Sequence, residues 1–168
     1  ADWEITNAHE KTWAAFPMTR LRPEQVAGAI LQAASVTTVD RRSSLFRRAA
    51  FYGSENDFVR RYGDTGEDEF DSQAETIPQR LLLMNGAMTK DRTKEDFFNA
   101  DTRIAWQAPD DHAAVEIAYL AVLSRPPTPE EASHFEARLN GARGHERTDH
   151  MEDLYWTLIN SSEFSWNH

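Results

Sequence analysis

Hydrophobic residues recur at intervals of three and four along most of this chain, the spacing that lines one side of a helix. Val26, Ala27, Ile30, Leu31 and Ala34 form one such stripe behind Pro23. Proline suits a first helical turn, where its missing N–H has no partner to lose. Ile77, Leu81, Met84 and Met88 form a second stripe, again with a proline, Pro78, near its start. Asp110 and Asp111 precede Val115, Ala118, Tyr119, Val122 and Leu123. Acidic residues there suit the positive end of a helix dipole. That helix is expected to stop before Arg125-Pro126-Pro127, because a residue ahead of proline avoids the helical well.

The sharpest local signal follows. Thr128 is placed to cap a helix, Pro129 to open it and Glu131 to close a capping box. Phe135 and Leu139 then face inward, and Asn140-Gly141 supplies a stop. Thr148 is read as the start of the last helix, with Met151, Leu154, Tyr155, Leu158 and Ile159 on its inner side. Residues 44–62 carry one or two short helices, and loops fall at 37–43, 63–75, 90–109 and 141–147. No stretch alternates apolar and polar residues long enough for a hairpin. The pattern predicts an all-α fold: an irregular bundle of five or more helices in a single domain, 1–168, with two long surface loops at 63–75 and 90–109. Loops of that length are functional or weakly ordered.

Composition narrows the chemistry. The 168 residues include no cysteine, which excludes disulfides, thiol catalysis, iron–sulfur clusters and cysteine-held zinc or haem. No apolar run reaches the roughly 18 residues of a membrane span. Lys and Arg total 18 against 28 Asp and Glu, a net charge of −10. A chain this acidic repels polyphosphate and anionic lipid, so nucleic acid is not an expected partner. The chain opens Ala1-Asp2-Trp3-Glu4 without an initiator Met or an export signal. This start leads to the expectation of a processed chain or a fragment of a longer protein.

Several residues are candidates for sites. Asp64, Asp68 and Glu75 fall at positions one, five and twelve of a calcium loop, but Gly66 and Glu69 stand at positions three and six. The sharp turn needs glycine at six, so a solvated acidic loop competes with calcium binding. Arg41, Arg42, Arg47 and Arg48, with Arg60 and Arg61, precede that loop. Arginine outnumbers lysine 15 to 3, and arginine forms bidentate pairs with carboxylates. These arginines suit an acidic-glycan or anion site, a docking face for neighbouring domains, or internal pairing with the acids at 64–75. Trp106 lies in the 90–109 segment and has two available roles, burial or stacking on a partner. Trp156, flanked by Leu154, Leu158 and Ile159, reads as core. The histidines lack the i, i+4 zinc spacing: His145 and His150 are five apart and assigned to loops, and His134 reads as a surface or boundary residue. No Gly-x-Ser-x-Gly elbow is present.

Three segments carry a resemblance. They are Thr76-Ile77-Pro78-Gln79-Arg80-Leu81-Leu82-Leu83-Met84-Asn85, then Leu123-Ser124-Arg125-Pro126-Pro127-Thr128-Pro129-Glu130-Glu131, then residues 153–164 running on to Asn167-His168. Arg20-Leu21-Arg22-Pro23-Glu24 adds to them. Together they resemble a domain of unknown function, often labelled PSD, found near the C-terminus of large planctomycete proteins. Those proteins also carry cytochrome c-like domains. The resemblance covers about residues 18–168, and this chain begins later than the family pattern does. It implies a C-terminal module of an exported bacterial protein, periplasmic or at the cell surface, with any haem chemistry in another domain. It implies no catalytic residue and no cofactor.

The function expected from these readings is a non-catalytic interaction or structural module, not an enzyme. Its partners would be other domains of the parent protein, another protein or a glycan. The alternatives are a carbohydrate-handling or hydrolytic domain whose acids assemble in space, and a calcium-stabilised domain.

Overall fold

The computed structural model of this chain describes residues 20–36, 77–86 and 99–166, together with residues 9, 12, 53, 56, 58–60, 89 and 90. The fold is all-α. Helix α1 spans Pro23–Ala34, α2 Ile77–Asn85, α3 Ala100–Gln107, α4 Asp111–Leu123, α5 Pro129–Leu139 and α6 His145–Ile159. A 3-10 turn, Glu163–Ser165, closes the described chain. Extended pairing among the described residues is limited to two isolated antiparallel bridges, Arg20 with Trp166 and Ser35 with Asn99.

Helix α4 is the centre of the packing: it lies against α1, α3, α5, α6 and the closing turn. Its Ala114, Val115, Ala118 and Tyr119 meet Val26, Ala27 and Ile30 of α1 and Met151, Leu154, Tyr155, Leu158 and Ile159 of α6 in one buried apolar cluster. Apart from Ala114, these are residues that the three-and-four spacing assigned to inner faces of α1, α4 and α6, and Phe135 and Leu139 of α5 join the same cluster. Each buried Val, Leu, Ile or Met among them contributes roughly 1.5–3 kcal/mol of transfer free energy.

Three departures from the sequence pattern have local causes. Residues 100–107 are helical, not part of a 90–109 loop. The buried face of α3 holds Asp101 and Thr102 beside Ala105, so an apolar stripe does not announce it. Helix α6 starts at His145, not Thr148. Gly144, at φ 57°, turns the chain into it, and Thr148 is buried one turn inside, its hydroxyl donating to the His145 carbonyl at 2.8 Å. His145 and His150 are therefore helical residues, while His134 is exposed on α5 as expected. Helix α2 presents Leu83 to the interior and leaves Leu81 51% exposed. Its rotation is fixed by polar anchors: the Arg80 guanidinium donates to the Asn160 carbonyl, and the half-buried Trp156 donates its indole N–H to the Met84 carbonyl at 3.2 Å.

The core also holds an uncompensated group. Tyr155 is fully buried, and its hydroxyl meets no hydrogen-bond partner among the described residues. Burial, then the nearby Asp101, push its ionisation well above the usual tyrosine range. Removing that hydroxyl by Tyr155→Phe is expected to leave stability unchanged or raise it by up to ~2 kcal/mol, since an unpaired buried polar group is a cost. Leu154→Ala, which leaves a void at a site 1% exposed, is expected to cost about 2–5 kcal/mol. Urea melts of the two variants check the contrast; a larger loss for Tyr155→Phe than for Leu154→Ala would contradict this account of the core.

Candidate functional site

A group of interacting charges lies at the corner between α4 and α5. Helix α4 ends in Ser124, which adopts the left-handed conformation at φ 57°. That turn swings Arg125 back over α4, and its guanidinium carbon sits 5.3 Å from the centroid of the buried Tyr119 ring. Pro126 and Pro127 prevent the helix from resuming. Thr128 then caps α5: its hydroxyl accepts from the Glu131 N–H at 3.3 Å, and its own N–H donates to Glu131 Oε2 at 2.7 Å.

Glu131 has a second task. Arg125 Nη1 donates to Glu131 Oε2 at 2.9 Å and Nη2 to Glu131 Oε1 at 3.0 Å. From the other side, Glu163 of the closing turn receives Nε at 2.6 Å and Nη2 at 2.8 Å. The remaining donor of Nη1 reaches the Pro126 carbonyl at 3.0 Å. An arginine has five N–H donors, and here all five have an acceptor. Paired on two sides, Arg125 is held cationic, its proton affinity raised above the ordinary guanidinium value by its bonds to Glu163 and Glu131. The same arginine, helped by the Thr128 backbone, lowers the Glu131 carboxyl to about 2. Burial and the adjacent Glu131 push the Tyr119 hydroxyl up to about 12. None of these three groups sits near neutrality, where proton transfer is efficient.

Smaller ion pairs brace the same helices, among them Arg138 of α5 with Asp153 of α6 at 2.7 Å. Arg147 of α6 donates to the Ala105 carbonyl at 2.9 Å and to the Asp111 carboxylate, tying α6 to the ends of α3 and α4. His112 Nδ1 lies 2.7 Å from Glu136 Oε1 on the outside of the α4–α5 pair. The hydrogen bond to Glu136 raises the His112 pKa above its ordinary value.

The polar contacts join the segments singled out from the sequence. Arg125 and Glu131 belong to the 123–131 segment and Glu163 to the last one. Arg80 and Met84 of the first segment bond to Asn160 and Trp156 of the last. Leu21, in the Arg20–Glu24 stretch, donates to the Ser165 carbonyl at 3.0 Å. These segments thus meet around residues 156–166.

Of the residues expected to form sites, Trp106 is described. It lies on α3, not in a loop, and is 54% exposed. Arg41, Arg42, Arg47 and Arg48, and the calcium candidates Asp64, Asp68 and Glu75, lie outside the described residues. Among the described residues, no group of three or more His, Asp or Glu stands close enough to hold a metal ion. No described helix is long and apolar enough to cross a membrane. The sequence did not single out Arg125 as a site; its one local hint is Glu131 six residues on, in the capping box. No protein-family model, curated protein or solved structure matches this chain.

Two pH dependences follow. The lowered Glu131 pKa stabilises the fold above the unfolded value of 4.5, and that contribution is lost as pH falls toward about 2. Glu131→Gln is expected to cost about 1–2 kcal/mol at neutral pH and to flatten the fall in stability across that acid window, as read by thermal melts. An unchanged acid profile would contradict the clamp. The raised His112 pKa gives the opposite sign: its pairing with Glu136 is fully present below the ordinary 6.5 and fades as pH rises through the folded value. An NMR titration of His112 should give a midpoint above 6.5, falling back toward it in Glu136→Gln.

Proposed function

We propose that this chain is a non-catalytic structural and interaction module of a larger exported protein, its partners being other domains of that protein. The observation that carries this reading is the saturated Arg125: its five donors end on Glu131, Glu163 and Pro126. A guanidinium so engaged has no donor left for a substrate anion. Residues of the quoted segments bond to one another, Arg125 to Glu131 and Glu163, Arg80 to Asn160 and Trp156 to Met84, which suits a domain of rigid shape.

Trp106 supports the interaction half of the reading. A tryptophan 54% exposed on a helix that is otherwise packed against α6 and α4 offers a large rigid apolar surface, the type that dominates protein contacts. The parent context comes from the resemblance of the 123–131 and 153–164 segments.

The test is a calorimetric titration of this domain with the rest of the parent polypeptide, produced as a separate chain. Saturable binding that Trp106→Ala weakens by about tenfold, roughly 1.4 kcal/mol, at unchanged melting temperature is the expected result. No saturable heat, or binding indifferent to Trp106, would overturn it.

A further inference from the structure

Helix α4 has apolar residues on every side. Its 13 residues, Asp111–Leu123, include no lysine or arginine, and a helix with such a sequence belongs in an interior. Four neighbouring helices and the closing turn cover most of it. One stripe is left open: Ile117 is 41% and Leu120 47% exposed, with exposed Ala121 and half-buried Ala113 beside them. Positions 113, 117, 120 and 121 share one helical face, so these side chains form a continuous strip, not scattered single residues.

We propose that this stripe of α4 docks a basic amphipathic helix of a protein partner. The inference rests on the interaction-module reading and names its surface and the chemistry of its occupant. The rim decides the chemistry. Exposed Glu116 lies on the stripe and exposed Asp110, whose carboxylate also accepts from the Ala113 N–H, at its N-terminal end, and the helix has no lysine or arginine. An occupant that buries Ile117 and Leu120 must bring apolar residues at helical spacing and place Lys or Arg against Glu116 and Asp110. A second copy of this chain fits poorly: it brings a further net charge of −10 and an identical stripe without a cation.

The probe is a fluorescently labelled synthetic helix with leucines at i, i+3, i+4 and i+7 and lysines on its flanks, titrated against the folded domain. A matched peptide with glutamates in place of the lysines is the control. Saturable binding of the lysine peptide alone is expected, weakened about tenfold by Ile117→Gln with Leu120→Gln and several-fold by Glu116→Gln. Glutamine keeps helix propensity; if the double variant unfolds, Leu120→Gln alone carries the comparison. Equal binding to the glutamine variants means bare charge attraction and overturns the proposal, as does no binding at about 1 mM. A dimer in sedimentation that the glutamine variants abolish overturns it in favour of a second copy. The same variants separate the two readings. If the parent polypeptide binds with Ile117 and Leu120 replaced, the module reading stands and this surface fails; if the peptide alone binds, the reverse holds.

Discussion

A guanidinium with all five donors taken must be met from several directions at once, and that requirement organises this protein. Arg125 leaves the end of α4 through a left-handed serine. It is met by Glu131 from the first turn of α5 and by Glu163 from the closing turn. The three groups are about two-thirds buried, so each pair is screened less than a surface bridge and depends on keeping its partner. Loss of either glutamate leaves the arginine half-satisfied above the Tyr119 ring. The clamp therefore sets the α4–α5 angle and the course of the chain after α6 together.

The end of the chain is where the other contacts converge. The 156–166 stretch receives Arg80 and the Met84 carbonyl from α2, Leu21 from the segment before α1, and Arg125 from the corner. Apolar burial supplies the driving force through α1, α4 and α6, but burial has no direction. The directional bonds fix which way each helix turns once it is buried. Helix α2 illustrates the division: hydrophobicity would accept Leu81 or Leu83 inside, and the Arg80 and Trp156 anchors select Leu83.

That economy bears on function. The ion pairs hold helices to helices, and the large apolar side chains left exposed among the described residues are Val36, Leu81 on α2, Trp106 on α3, and Ile117 and Leu120 on α4. A fold so built presents an indole on one helix and a leucine–isoleucine strip on the next. The strip occurs on α4, which carries no lysine or arginine and has apolar residues on every side, and that ties the exposed surface to the composition that created it.

The sequence by itself determined the all-α class, the inward faces of α1, α4, α5 and α6, and the capping box at Thr128. Each of these is written in neighbouring residues: a three-and-four spacing, a proline, a cap with its partner three positions on. Helix α3 escaped because its inner face is Asp101, Thr102 and Ala105, and the start of α6 because Gly144 acts through a backbone angle. Only the tertiary structure decided that Arg125, 38 residues from Glu163 in sequence, would be closed by it, that Trp106 would stand outside, and that Ile117 and Leu120 would remain uncovered. The physical reason is that a stripe records which side of a helix is oily, whereas partnership across the fold depends on where separate helices come to rest.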